Sequence, residues 1–320
     1  MRALRYDRYG PPEVLRIVEA AEPVPQAGEV KVRVHAASLN PLDWKIRAGH
    51  VRWLPVFRRP PRIPGCDFAG EIVGVGGGAT GHYVGERVFG SLLPFGRAGT
   101  LAEFIVAGID RLATIPGEVS YEQAAALPIA AGTALQGVVD EGRLGAGQRI
   151  LITGAAGGVG HFAVRLAKHL GAEVVGVCGA ANMEFVHGLG ADEAIDYAHD
   201  DFTRRDDRFD VVFDAAGASS FLAARAVLTD MGCYLNTGGD AGAVAGTVVG
   251  ALLARATSRQ RAIPIALDSR AARWRRLAAL AREGTLRAHI ERTIGLEEVA
   301  EAQRAMETGH GRGKIVVRMA

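Results

Sequence analysis

The chain is short of sulfur, of aromatic rings and of charge of one sign. Its three cysteines, Cys66, Cys178 and Cys233, stand far apart with no C-x-x-C pair, so neither a disulfide framework nor a structural zinc site is expected. Aromatic residues make up 6 % of the 320 residues, while glycines number 42, a balance that suits tight turns and close helix-to-strand contacts. The 37 Lys and Arg are mixed with 35 Asp and Glu for a formal charge of +2. No single-signed field directs the chain to nucleic acid or to a membrane, and small-molecule work is expected. The opening MRALRYDRYG lacks the apolar run of a signal peptide, which fits a reducing cytoplasm. The longest uncharged run, Ala241 to Ala254, is shorter than the ~18 to 20 apolar residues of a membrane span and reads as a packed helix. A G-x-S-x-G elbow, a G-K-[ST] phosphate loop and a metal spacing among the histidines are also lacking, which sets hydrolase and kinase readings aside.

What is present divides the chain in two, as its length leads one to expect. From Met1 to Tyr121, alternating apolar runs such as EVKVRVHAASLN and FAGEIVGVG are broken by Pro and Gly, the pattern of an antiparallel, barrel-like domain. From residue 122, strands (RILITG, EVVGVC, EAIDY, DVVFDAAG, CYLNTG, RAIPIAL) alternate with helices, the pattern of a doubly wound parallel sheet. The helix from Ser269 to Arg282 closes that region. The last stretch, strand, helix and strand, rejoins the first domain. The expected division is therefore 1–121 plus 287–320, and 122–286, with a ligand cleft between.

Residues 150–185 carry the clearest motif. Ala155, Gly157 and Gly160 form A-x-G-x-x-G between the strand ending at Thr153 and an amphipathic helix. Gly157 permits close approach of a pyrophosphate, Gly160 permits helix-on-strand packing, and the helix start offers free N–H groups. An acid on the adenosine ribose is usual about 20 residues on. Glu173 has that spacing but begins its strand, whereas ligands lie beyond the carboxyl ends, here Val177 to Ala180. Without a carboxylate there, the 2′-phosphate of NADP meets no repulsion, and NADPH is expected over NADH. No cation stands among Ala181, Asn182 and Met183 to grip that phosphate.

The pieces YGPPEVL, SLNPLDWKIRAG, PGCDFAGEIVGVG, VGERVFG, GTLAEFIVA, LPIAAGTALQGV, AAGGVG, LGADEAIDY, VFDAAG and GRGKIVV together resemble the zinc-independent quinone oxidoreductases, the zeta-crystallin-like group of the medium-chain dehydrogenase/reductase superfamily. The resemblance implies a Rossmann domain inserted in a GroES-like, mainly antiparallel β catalytic domain, NADPH as cofactor and a homodimer formed partly through the edge strand near Arg261 to Leu267. It also implies cofactor contacts at Thr133, Ala156, Gly157, Gly158, Val159, Gly179, Tyr197, Gly217, Gly238 and Lys314.

The zinc enzymes of that superfamily use a metal to polarise a carbonyl. Here Asn40 and Asp43 stand where a catalytic Cys is usual, and Cys66-Asp67 replaces a His-Glu pair, so no metal is expected. Without one, hydride transfer suits an acceptor with its own electron sink, a quinone or an alkene conjugated to a carbonyl. Asn40 either donates a hydrogen bond to the acceptor oxygen or shapes the turn before Pro41. Asp43 is a candidate proton donor or a structural acid. Lys45 and Arg47, near it in sequence, are expected to keep it ionised. Trp44 and Trp53 provide a flat wall for an aromatic acceptor or simply pack in the core. A non-catalytic NADPH-binding sensor remains the reading from another class.

Overall fold

The structure, a computed structural model, describes residues 1–237, 246–252, 254, 259–309 and 311–319. Gly238, one of the implied cofactor contacts, lies outside the described residues. Two compact units are formed, Met1–Gly132 with Ser269–Ala320, and Thr133–Asp268. The division thus falls later than the expected 121/122 and earlier than 286/287. Helix Tyr121–Ala125 belongs with the first unit because Gln123 closes two hydrogen bonds with the backbone of Ala288, at 3.0 and 2.8 Å. Helix Ala271–Arg282 does so because the buried Trp274 donates its indole N–H to the Arg111 carbonyl at 2.9 Å.

The first unit is built on a seven-stranded sheet whose central strand is Glu29–Ser38. Val30, Val32 and Val34 are buried while Arg33 is exposed, the period of two that a strand with one face on the core requires. Three strands meet at one end of this sheet. Ser38 pairs with Asp67, the first residue of Asp67–Val75, on one side. On the other it pairs with Val316 of Lys314–Arg318. The register brings Ser38, Asp67 and Lys314 to that end, next to the turn into helix Pro41–Ala48. The sheet is mainly antiparallel, with one parallel pair, Ile290–Ile294 and Lys314–Arg318.

In the second unit six parallel strands lie in the order Glu193–Asp196, Glu173–Cys178, Arg149–Thr153, Phe209–Asp214, Leu228–Asn236, Arg261–Pro264. This is the doubly wound arrangement. Its direction reverses beside Arg149–Thr153, so the carboxyl ends of that strand and of Phe209–Asp214 flank the switch point where ligands bind. Strand residues such as Ile150, Leu151, Val211 and Val212 are buried in succession, because helices cover both faces of a parallel sheet. The last strand ends at Pro264 rather than continuing to Leu267, since Pro has no N–H for a ladder. In the uncharged run 241–254, expected to be a packed helix, residues 246–252 and 254 are helical. Thr247, Gly250 and Ala254 are buried, whereas Val248, Val249 and Leu252 are exposed.

Arg47 shows how the helix Pro41–Ala48 is anchored. Its fully buried guanidinium donates to Gln303 Oε1 at 2.8 Å, to the Gly10 carbonyl and to the Glu307 carboxylate. Removing a buried charge that satisfies three acceptors leaves them unpaired around a void. Arg47→Ala is expected to lower unfolding free energy by about 3–5 kcal/mol in urea titrations. A loss below about 1 kcal/mol, the size of an exposed pair, would contradict this packing.

Candidate active site

The glycine loop of the second unit follows strand Arg149–Thr153 and leads into helix Gly160–His169. The two glycines of the motif do different work. A Cβ on Gly160 would come within 2.1 Å of the Gly154 carbonyl oxygen, so only glycine lets helix and loop touch there. A Cβ on Gly157 would meet only that same oxygen, at 3.2 Å, and otherwise open space. That space, at the start of a helix, is what a pyrophosphate needs. Val159 is the residue before the helix, Ala156 is buried in the loop, and Thr133 is buried in helix Pro128–Leu135. His161, which no sequence motif singles out, sets its ring Nδ1 at 2.9 Å from the Gly157 carbonyl.

At the carboxyl end of the neighbouring strand, a Cβ on Gly179 would lie 3.3 Å from the Tyr197 hydroxyl. The structure therefore brings these two predicted residues together, with Tyr197 itself exposed. Glu173 is spent elsewhere. It pairs with Arg149 at 2.9 Å, at the opposite end of the strand. An acid does stand at the carboxyl end of the next strand, however. Asp196, in register with Cys178, accepts from His199 Nδ1 at 2.7 Å and from the Ala198 N–H at 3.1 Å. Those donors, with the Ala180 N–H, hold its carboxyl below the usual range and leave it a hydrogen-bonded anion.

The DAAG turn is organised by its acid rather than by Gly217. Buried Asp214 accepts from Thr153 Oγ1 at 2.5 Å and from the Tyr234 hydroxyl at 2.8 Å. It also takes the backbone N–H groups of Ala218 and Ser219, at 3.1 and 2.9 Å. One carboxylate thus ties together the carboxyl ends of three adjacent strands and the turn beyond them. Gly217 completes the turn with φ of +67°, a conformation that costs a side chain free energy.

In the first unit, Asn40 is 4 % exposed and is held on both sides of its amide. The Lys314 ammonium donates to its Oδ1 at 2.7 Å and to the Leu39 carbonyl at 2.9 Å, while its Nδ2 donates to Asp67 Oδ2 at 2.9 Å. An ammonium only donates and a carboxylate only accepts, so the amide has one orientation. Asp67 further accepts from Ser38 at 3.0 Å and from the Ile129 N–H at 3.1 Å, and lies 3.7 Å from Lys314. Burial pushes the Asp67 carboxyl up and the Lys314 ammonium down. The donors around Asp67 favour the charged pair. Lys314, implied as a cofactor contact, is buried against Asn40 and Asp67. The two tryptophans expected as a wall differ: Trp44 is half-buried, edge to face with His50 at 5.4 Å, and Trp53 is exposed.

Asp43 corrects an expectation. Lys45 and Arg47 do not set its charge, since Arg47 turns to Gln303 and Glu307. Asp43 is instead buried, accepting the Asn40 N–H at 2.8 Å, with the Cys66 thiol 3.8 Å away. Burial raises its carboxyl to about 7, and burial with the two neighbouring acids raises the Cys66 thiol well above its ordinary value. Among the described residues no group of three or more His, Cys, Asp or Glu is arranged to hold a metal ion.

Two family models match the chain, the alcohol dehydrogenase GroES-like domain over residues 26–117 and the zinc-binding dehydrogenase over 189–317. A chloroplast envelope quinone oxidoreductase homolog of Arabidopsis thaliana is 36 % identical, over 99 % of this chain and 98 % of the relative. The chain belongs to the quinone oxidoreductase family of the medium-chain dehydrogenase/reductase superfamily. Like other members of this oxidoreductase family, the quinone oxidoreductase from Coxiella burnetii has the same fold, with a TM-score of 0.90, 31 % identity and coverage of 100 % and 99 % of the two chains. A second branch is also similar. The NADPH-dependent alkenal/one oxidoreductase of Arabidopsis thaliana is 36 % identical over 68 % of this chain and 58 % of its own length.

The raised carboxyl of Asp43 has a consequence for this oxidoreductase's stability. The folded state binds the proton more tightly than the unfolded chain, so stability falls as pH rises from the unfolded value of 3.8 through about 7. Asp67, also raised, adds to the same fall. In Asp43→Asn the decline between about pH 5 and 8 is expected to shrink by an amount on the order of 3 kcal/mol, read from urea midpoints at each pH. Parallel pH profiles for the two proteins would show that Asp43 does not titrate there.

Proposed function

We propose that the protein reduces a quinone with NADPH and without a metal. The observation that carries this reading is the Asn40 amide, fixed by Lys314 and Asp67 with one Nδ2 hydrogen still to give. The cofactor supplies a hydride. As the acceptor takes it, negative charge grows on the acceptor oxygen, and a preoriented amide N–H stabilises that charge without reorganising. Lys314 acts through Asn40, polarising its carbonyl. An ammonium beside Asp67 also opposes a divalent cation there by charge. Asp43 closes the turn that carries Asn40. Water delivers the proton, and Trp44 gives the acceptor a flat surface.

The glycine loop suits the cofactor because Gly157 leaves a cradle that a side chain would fill. Thr133, Ala156, Gly157, Gly158, Val159, Gly179, Tyr197, Gly217 and Gly238 surround it in this reading. NADPH is favoured over NADH because residues 179–183 contain no carboxylate, and because the one nearby, Asp196, is already hydrogen-bonded. The exposed Val248, Val249 and Leu252, with the unpaired edge of Arg261–Pro264 among the described residues, support a homodimer. A second reading, reduction of an α,β-unsaturated carbonyl, draws support from the similarity to the alkenal/one oxidoreductase and uses the same donor.

Purified protein is expected to oxidise NADPH with a simple benzoquinone, faster than with NADH. Preference for an unsaturated ketone would move the assignment to the second reading, and tight NADPH binding with no turnover by either acceptor would leave a sensor. Gly157→Ala is expected to keep its melting temperature and lose about tenfold or more in NADPH affinity. Gly160→Ala is expected to lose about 1–3 kcal/mol of stability from overpacking. Equal effects of the two on stability would contradict the division of labour between these glycines.

A further inference from the structure

Two loops of the first unit, residues 51–61 and 92–98, are laced together. The Arg58 N–H donates to the Phe95 carbonyl at 3.2 Å and the Ile63 N–H to the Arg97 carbonyl at 2.9 Å. The Arg62 guanidinium reaches the carbonyls of Arg58 and Pro94 at 3.0 and 2.6 Å, and the rings of Phe57 and Phe95 meet edge to face with centroids 5.4 Å apart. Tied in this way, the loops present apolar side chains to solvent instead of burying them. Trp53 is 61 % exposed, and Val56, Leu93 and Phe95 are exposed as well. The Trp53 indole N–H is satisfied within its own loop, by the His50 carbonyl at 3.1 Å, so immersing the ring in an apolar phase strands no donor.

The charge around these side chains has one sign. Neither the stretch from Trp44 to Cys66 nor that from Arg87 to Ala102 contains an acidic residue. Arg52, Arg58, Arg59 and Arg97 are exposed. None of them is ion-paired among the described residues, and Asp7, next to the Tyr6–Arg62 bridge, is held by Arg5 at 2.9 Å. The near-neutral total of the chain conceals this because the compensating acids lie elsewhere.

We infer that this loop pair docks the protein on an anionic lipid bilayer, the arginines facing the headgroup charge and Trp53, Val56 and Phe95 entering the interface. A soluble acidic partner is met by cations alone. Apolar tips interleaved with unpaired arginines suit a surface that is anionic outside and hydrocarbon beneath. No helix among the described residues is long and apolar enough to cross a membrane, so the contact is peripheral.

Sedimentation of the intact protein with vesicles tests this, and it is read without turnover, so it stands apart from the choice of hydride acceptor. Vesicles of phosphatidylcholine with roughly a quarter phosphatidylglycerol are expected to bind it. Vesicles of phosphatidylcholine alone are not, and about 0.5 M NaCl is expected to release it by screening. Tryptophan emission should shift to the blue on binding, a shift absent in Trp53→Phe because Trp274 is already buried and Trp44 is half-buried against His50. The double variant R58E/R59E should bind at least about 25-fold more weakly, from roughly fivefold per cation, while keeping its melting temperature and its turnover of a water-soluble quinone. V56S/F95S provides a second variant that leaves the charge intact and is also expected to bind more weakly. Failure of the wild-type protein to sediment with the anionic vesicles would overturn the inference, as would equal binding by both variants. Retention on heparin with no vesicle binding would overturn it in favour of a soluble acidic partner.

Discussion

A carboxylate taken out of water must be answered by donors, and the first unit is arranged around that demand at Asp67. Left alone, a charge at this depth costs several kcal/mol. Four groups answer it, the Ser38 hydroxyl, the Asn40 amide, the Ile129 N–H and the Lys314 ammonium. They come from the end of the central strand, the turn after it, the helix Pro128–Leu135 and the final strand. Satisfying one anion therefore fixes the relative positions of these elements, and fixes the Asn40 amide with them. The same ammonium lies against Asp67 and donates to Asn40, so in the proposed reaction stability and chemistry rest on the same contacts.

The second unit repeats the device with Asp214. Its carboxylate joins Thr153, Tyr234 and the N–H groups of the following turn, at the reversal of strand order where a dinucleotide is received. Burial and the Asp214 charge hold the Tyr234 phenol protonated, so it stays a donor to that acid. Each unit thus holds its own turns in place with a buried acid.

Periodicity made the fold legible in the sequence. Alternation at Val30, Val32 and Val34 marks a half-buried strand, and unbroken apolar runs such as RILIT and VVF mark a sheet covered on both faces. The glycine loop was legible because its geometry is local. What stayed hidden depends on distant partners. Lys314 and Asn40 meet across 274 residues of chain, so nothing in the sequence joins Lys314 to the amide it supports. Asp214 was overshadowed by the glycine three residues on, although a lone acid ending an apolar strand is itself a signal of a buried hub. Burial, which neighbours in sequence do not reveal, is the largest influence on the Asp43 carboxyl, while Arg47 turns to Gln303 and Glu307.

Central to this account is that Lys314 acts on the acceptor through Asn40 and not on the cofactor. The direct measurement is Lys314→Met, of similar length and without charge, compared with the wild-type protein in NADPH dissociation constant and in kcat/KM for a benzoquinone. The account predicts a dissociation constant within about twofold and a kcat/KM lower by about 100-fold, the size of an effect on an oxyanion donor. A weakened dissociation constant with unchanged turnover of the bound complex would contradict it and make Lys314 a cofactor contact after all.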